Sequence, residues 1–282
     1  DVHELVEYVN RNDFDVVFTG SDVCLNLSRC KQGEELPIYW LHEDIEARKG
    51  FLAASADVAR ISDMSSTQIE KARNIMNSLD FFSARDHMTH ELFSHLVEPS
   101  RDIQRLPDPV FTLPLKPRGV KSGIRHGKLK CGVNMSTSSF SLELLRKISP
   151  RFDLFSFNLN NSSVIPVTYY SHHEWVDTFS NMDFLITGSF HESILALKIG
   201  IPFICVDTSA KRIDSGNVAS KTRSLLKDFD LEVRHFSEFI GSSVDEIETA
   251  IDSVLSSPQT EDLSERAQIY GEAYKTYVRE NI

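Results

Sequence analysis

The stretch FLITGSFHESILALKIGIPFICVD, residues Phe184 to Asp207, decides how this chain is read. An apolar run, FLIT, stops at Gly188. A stretch follows in which Ile194, Leu195, Leu197 and Ile199 are core residues, and Gly200 and Pro202 punctuate it before a second apolar run, FICVD. This is the pattern of a strand, a helix and a second, parallel strand. Gly188 permits a sharp turn, Ser189 can cap the helix, and a helix start presents N–H groups and a positive dipole end at the carboxyl edge of the strand. Such a turn is a seat for an anion. His191 there can supply a proton donor or a phosphate contact. Glu192 suits the dipole and can close a capping arrangement with Ser189. In the plain alternative, His191 and Glu192 only complete a helix start.

The same alternation runs outward in both directions. Toward the C-terminus it continues as a helix around Leu225, a strand LEVRHF, a helix from Val244 to Leu255 and a last helix from about Leu263 to Val278. Toward the N-terminus come a helix through Trp175 and Phe179, the strands VIPVTYY and DLFSFNL, a helix from Ser141 to Ile148 and the strand LKCGVNM. From Pro107 to about Lys128 the composition shifts to Pro, Gly, Lys and Arg without a period, which reads as a linker. Before it stand a helix from His3 to Val9, the strands DVVFTG, IYWL and FLAASA, a helix reaching Leu79 with N-caps at Ser65 to Thr67, the strand FFSAR, and a helix opened by Asp86.

Strands alternating with helices predict parallel sheets covered on both faces, so the expected fold is α/β with two doubly wound domains. The boundaries predicted are 1–115, 116–260, and a terminal helix over 261–282 that packs back on the N-terminal domain. The first domain opens on a helix and reads as lacking its first strand. Ligands in such sheets bind beyond the carboxyl ends of the strands, and the expected cleft lies between the domains.

Composition sets outer bounds. The chain has 282 residues, 41% hydrophobic and 25% charged, as in an ordinary globular protein. Its formal net charge of -11 opposes nucleic acid and anionic membranes. No apolar run approaches the ~20 residues of a membrane span. Cys24, Cys30, Cys131 and Cys205 are widely spaced and read as buried free thiols, and three N-x-S sequons carry little weight, so the cytoplasm is the expected location.

Other candidates lie outside the opening stretch. Arg85 ends a strand, where its fork would suit a carboxylate or phosphate; its alternative is a salt bridge, with Asp86 or Asp63. Lys211, Lys221 and Arg223 are cationic in an acidic chain. At a helix start Lys221 and Arg223 oppose the dipole, which points to an anionic ligand or to plain solvation. Adjacent His172 and His173 point about 100° apart on a helix and cannot chelate together, so no metal is expected. No G-x-G-x-x-G, P-loop or G-x-S-x-G pattern occurs.

The succession ASADVAR (54–60), FFSARDHMTHELF (81–93), LPDPVF (106–111), CGVNMS (131–136), the opening stretch, and KTRSLLKDFDLE (221–232) resembles the polysaccharide pyruvyl transferase family over most of the chain. The resemblance implies a glycosyltransferase-B-like pair of Rossmann-like domains. It also implies transfer of a pyruvyl group from phosphoenolpyruvate to two hydroxyls of a saccharide as a ketal, in exopolysaccharide or cell-wall biosynthesis. Arg85 matches the family's arginine after the strand, and His191 the histidine of its Arg-Leu-His triplet. This chain reads Ser189-Phe190-His191 there, so a serine replaces the guanidinium. Ser189, the bare helix start, and Lys211, Lys221 or Arg223 would compensate, or the chain uses a different donor or acceptor.

On this reading Arg85 clamps the donor's anionic groups, His191 is the acid or phosphate ligand, and Glu192 orients the histidine or caps the helix. Ser189, Phe190, Glu192, Lys211, Lys221 and Arg223 are the substrate-binding residues. Phosphoenolpyruvate is a co-substrate and no cofactor is expected. The partners are that donor and a saccharide acceptor, with no nucleic acid and no membrane span, and a homo-oligomer is left open. Two alternatives remain: a glycosyltransferase using a nucleotide sugar, and an inactive saccharide-binding homologue.

Overall fold

The computed structural model describes residues 2–27, 36–115, 127–157, 164–166, 171–208, 213–214, 217–218, 220–257 and 260–282. The chain divides into two compact units, one of 1–112 with 270–282 and one of 113–269. Each carries a parallel sheet between helices, which makes the fold α/β with two Rossmann-like domains.

The first unit contains α1 (Val2–Arg11), β1 (Val16–Gly20), β2 (Arg48–Ala54), α2 (Ser66–Ser78), β3 (Phe81–Ala84), α3 (His87–Ser94) and β4 (Gln104–Arg105). Its sheet is parallel in the order β1-β2-β3-β4. From Phe51 to Ala54 strand β2 reads as a continuous apolar run because both of its faces are covered. Phe51 packs with Met76 and Phe93 on one side, while Leu52 packs with Phe81, Leu106 and Tyr277 on the other. Helix starts follow the sequence closely. Ser65 accepts from Gln68 N while Gln68 reaches back to Ser65 N, a full capping box, and Asp86 accepts from Thr89 N.

The run IYWL, expected as a strand, is a 3-10 turn over Ile38–Trp40. Pro37 precedes it, and Trp40 is fully buried with its Nε1 donating to Leu25 O at 3.3 Å and its ring edge against Phe51. A buried indole needs a partner for its N–H, and four apolar residues in a row do not distinguish a strand from a turn of helix.

The second unit contains β5 (Leu129–Asn134), α4 (Ser139–Ile148), β6 (Phe152–Ser156), β7 (Ile165–Pro166), α5 (His172–Ser180), β8 (Phe184–Thr187), α6 (Phe190–Ile199) and β9 (Phe203–Asp207). A short antiparallel ribbon follows, β10 (Ile213–Asp214) with β11 (Asn217–Val218). Then come α7 (Lys221–Asp228), β12 (His235–Ser237), α8 (Val244–Ser256) and α9 (Thr260–Asn281), whose residues from Tyr270 onward belong to the first unit. The strand expected over LEVRHF splits into a 3-10 turn at Glu232–Arg234 and β12.

The six-stranded sheet is parallel throughout, in the order β12-β9-β8-β5-β6-β7. The chain winds outward from β5 through β6 to β7, then returns to β8 on the other side of β5 and winds the opposite way. The reversal puts the switch point between β5 and β8, where helices leave to opposite faces and a crevice opens beyond the strand ends. Helices α4 and α8 share a core with the strands on one face, and α6 packs on β8 and β9 beside α5 and α7. Nearly every residue of α6 is buried, so FHESILALKI has apolar residues on all sides of the helix.

Candidate functional site

The switch point is built by the last residues of two adjacent strands and the first turn of α6. Asn134 closes β5 and Thr187 closes β8, paired across the ladder. Gly188 N donates to Asn134 O at 2.8 Å. A Cβ on Gly188 would stand 2.9 Å from Val206 O, so glycine is required here by the close approach of the neighbouring strand.

Glu192 turns inward from the first turn of α6 and is 3% exposed. Asn134 Nδ2 donates to its Oε1 and Thr187 Oγ1 to its Oε2, both at 2.6 Å. One carboxylate thus ties together the ends of β5 and β8 and the start of α6. Burial pushes its carboxyl above the ordinary carboxylate range; the two hydrogen bonds and the nearby His191 act against that shift without cancelling it.

This arrangement corrects the capping expected of Ser189 and Glu192. Ser189 is the N-cap by position, but its hydroxyl makes no cap hydrogen bond. Its N–H donates to Thr187 Oγ1 at 2.9 Å, and its carbonyl accepts from Ser193 N and Ser193 Oγ. Glu192 is unavailable for a capping box because Asn134 and Thr187 hold both its oxygens.

A cavity of about 150 Å3 opens beside this turn, lined by Asn134, Met135, Ser136, Gly188, Ser189, Asp207 and Thr208. Asp207 ends β9, and His235 lies on the neighbouring β12, with Nε2 2.8 Å from Asp207 Oδ2. Ser136 N donates to Thr208 Oγ1 at 3.0 Å. His191 is half-buried next to Phe190, their ring centroids 5.5 Å apart. Lys221, the first residue of α7, places Nζ 5.5 Å from the centroid of the Phe190 ring, within the range of a cation–π contact.

Of the residues singled out in sequence, Ser189, Phe190, His191, Glu192 and Lys221 therefore gather around one turn. Arg223 is half-buried on α7, its N–H donating to the Ser220 cap, and Lys211 lies outside the described residues. Arg85 does not stand open at its strand edge. Its side chain is 1% exposed, with Nη1 2.8 Å from Asp108 Oδ2 and a further contact from Nη1 to Ser21 O. Its partner belongs to Pro107-Asp108-Pro109, while Asp86 caps α3 and accepts from Ser55 Oγ. Pairing with a buried carboxylate outweighs exposure because an uncompensated buried charge is costly.

Asn134, Thr187, Asp207, Thr208 and His235 were not singled out in sequence. Asn134, Thr187 and Asp207 share a readable signal, since each is the polar residue on which an apolar strand ends. No helix among the described residues is long and apolar enough to cross a membrane.

Solved structures similar to this chain share its fold at low identity. The UDP-GlcNAc 2-epimerase of Neisseria meningitidis bound to UDP-GlcNAc is 11% identical with a TM-score of 0.58, over 99% of this chain and 79% of that one. The UDP-GlcNAc 2-epimerase of Methanocaldococcus jannaschii in complex with UDP-GlcNAc and UDP gives 10% identity and 0.52, over 90% and 72%. The spinosyn forosaminyltransferase SpnP gives 9% and 0.55, over 96% and 75%. These likenesses establish the glycosyltransferase-B-like class of the two Rossmann-like domains. No curated protein matches the chain. The family model described as polysaccharide pyruvyl transferase matches residues 3–210, a span that contains the ion pair of Arg85 with Asp108, the Asn134–Thr187–Glu192 tie and His191. The chain belongs to the polysaccharide pyruvyl transferase family.

Proposed function

We propose that this protein transfers a pyruvyl group from phosphoenolpyruvate to two hydroxyls of a saccharide, forming a ketal in exopolysaccharide or cell-wall biosynthesis in the cytoplasm. Phosphoenolpyruvate is consumed as co-substrate, and no cofactor is called for. The observation that carries the reading is the convergence of His191, Phe190 and Lys221 on the first turn of α6, at the end of a strand next to the switch point.

The chemistry has two additions to one carbon. A proton is delivered to the methylene carbon of the enol while a sugar hydroxyl bonds to the adjacent carbon and gives up its own proton. The carbon–oxygen bond to phosphate then breaks, a second hydroxyl of the same sugar bonds in its place, and its proton leaves with the phosphate. An acid must stand near the methylene, and a cation near the phosphate as it departs. His191 takes the first role or contacts the phosphate, and Lys221 takes the second, next to a helix start whose dipole favours negative charge. Ser189 stands where the family resemblance implies an arginine, so more of the donor's charge falls to Lys221 and, by sequence, to Lys211 and Arg223. Glu192 holds the turn in register.

Release of inorganic phosphate from phosphoenolpyruvate, measured with galactosides and mannosides, tests the proposal. His191→Ala in folded protein should lose about 100-fold or more in turnover, the scale of general acid catalysis. Lys221→Met should raise KM for the donor, and Lys221→Arg should restore most of it. Full turnover in His191→Ala removes that residue from the mechanism. Consumption of a nucleotide sugar in place of phosphoenolpyruvate replaces pyruvyl transfer with glycosyl transfer.

A further inference from the structure

The cavity beside the α6 turn has a composition that suits one class of ligand better than another. Its polar lining comes from Asn134, Ser136, Ser189, Asp207 and Thr208. The acidic member is the best fixed, because Asp207 is 8% exposed and its Oδ2 is held 2.8 Å from His235 Nε2. Among the described residues that contact leaves Oδ1 as the carboxylate oxygen for an occupant. The Ser189 hydroxyl makes no cap hydrogen bond, and the Thr208 hydroxyl, which accepts from Ser136 N, can still donate. An ionised carboxylate only accepts hydrogen bonds, whereas a serine or threonine hydroxyl both gives and accepts. A ligand that presents hydroxyls satisfies all three. A ligand that presents phosphate or carboxylate meets the carboxylate of Asp207, which repels it. At about 150 Å3 the cavity exceeds the roughly 10–15 Å3 that a single water needs.

We propose that this cavity is a saccharide subsite: Asp207, held by His235, accepts a hydrogen bond from a hydroxyl of a pyranoside, and Ser189 and Thr208 bind its neighbour. This deepens the pyruvyl transfer reading and rests on it for the identity of the acceptor. It divides the α6 turn by charge, with the neutral polyol on the Asp207 side and the anionic donor on the side of His191 and Lys221.

The test is calorimetric titration of wild type, Asp207→Asn and Ser189→Ala with methyl galactopyranoside and methyl mannopyranoside, and separately with phosphoenolpyruvate. Loss of a hydrogen bond to a charged group should weaken pyranoside binding by about tenfold or more in Asp207→Asn. Ser189→Ala, which removes a hydroxyl that takes no part in capping, should weaken it by about threefold in a protein of wild-type stability. Phosphoenolpyruvate should bind all three within about twofold. Pyranoside binding that is absent from wild type, or unchanged in both variants, overturns the subsite. Phosphoenolpyruvate bound markedly more tightly by Asp207→Asn also overturns it, since the anion would then occupy the cavity. Pyranoside binding that depends on Asp207, without any binding of phosphoenolpyruvate to wild type, leaves the subsite standing and removes the donor reading instead.

Discussion

Arg85 and Asp108 form an ion pair at 2.8 Å with side chains only 1% and 2% exposed, joining the end of β3 to the Pro107-Asp108-Pro109 turn. The turn is fixed further by Val110 N donating to Asp108 Oδ1. Arg85→Ala strips Asp108 of this pairing, and breaking a buried pair from one side costs about 3–5 kcal/mol. Urea unfolding should show that loss, and Arg85→Met with Asp108→Leu should recover part of it. A variant of unchanged stability that fails only in donor binding would return Arg85 to the substrate.

Glu192 predicts a pH dependence of stability with a definite sign. Its carboxyl lies above the ordinary range in the folded protein because burial disfavours the charge. Between its unfolded and folded pKa values the native state holds more protons than the unfolded one, so stability falls as pH rises through that window. The contribution is complete below the unfolded value and lost above the folded one. The stability difference between wild type and Glu192→Gln, followed by urea midpoints from about pH 4 upward, should move against wild type as pH increases. A constant difference would show that Glu192 titrates normally.

Gly188→Ala should cost about 1–3 kcal/mol, the usual range for overpacking. Its methyl would stand 2.9 Å from Val206 O, and backbone cannot yield as a side-chain end can. The displacement would pass to Ser189 and the α6 start, so thermal unfolding and turnover should fall together. Normal stability with a normal Tm would mean that the turn has slack.

The described cysteines should separate by reactivity. Cys205 is fully buried, contacts Ser193 Oγ at 3.3 Å, and has its thiol pushed up to about 12 by burial; burial also pushes the Cys131 thiol up. A thiolate is the reactive form. Cys24, expected to be buried but only half-buried in the structure, should be alkylated in native protein, whereas Cys131 and Cys205 should react only when urea opens the second unit; Cys30 lies outside the described residues. Native-state labelling of Cys205 at neutral pH would contradict the packing around it.

Most of this fold was legible because its units repeat a simple period. Where an apolar run was bounded by caps, as between Ser65 and Leu79 or from Phe184 to Asp207, the element formed close to its expected bounds. IYWL misled because its apolar run serves to bury one indole against Leu25 and Phe51, a tertiary demand with no local signature. The site was legible only in part for a similar reason. Ser189 to Glu192 carries the spacing of a capping box, and the local reading takes it as one. Asn134, 58 residues away, competes for the same carboxylate and wins because parallel pairing of β5 and β8 delivers it ready oriented. Asp207 and His235 are joined by the pairing of β9 with β12, and Arg85 with Asp108 across a segment whose proline content suggested only a linker.

Helix α9 begins among residues of the second unit, where Ser264 Oγ donates to Lys198 O, and ends among those of the first, where Tyr277 OH donates to Phe82 O. Tyr277 also completes the cluster of Leu52, Phe81 and Leu106 on one face of the first sheet. During synthesis that face is not completed until residues 113–269 and then Tyr277 have left the ribosome, although domains generally fold in the order they emerge. The first unit therefore closes only after the second has been translated, and a nascent chain halted before Tyr277 would present chaperones with an apolar sheet surface.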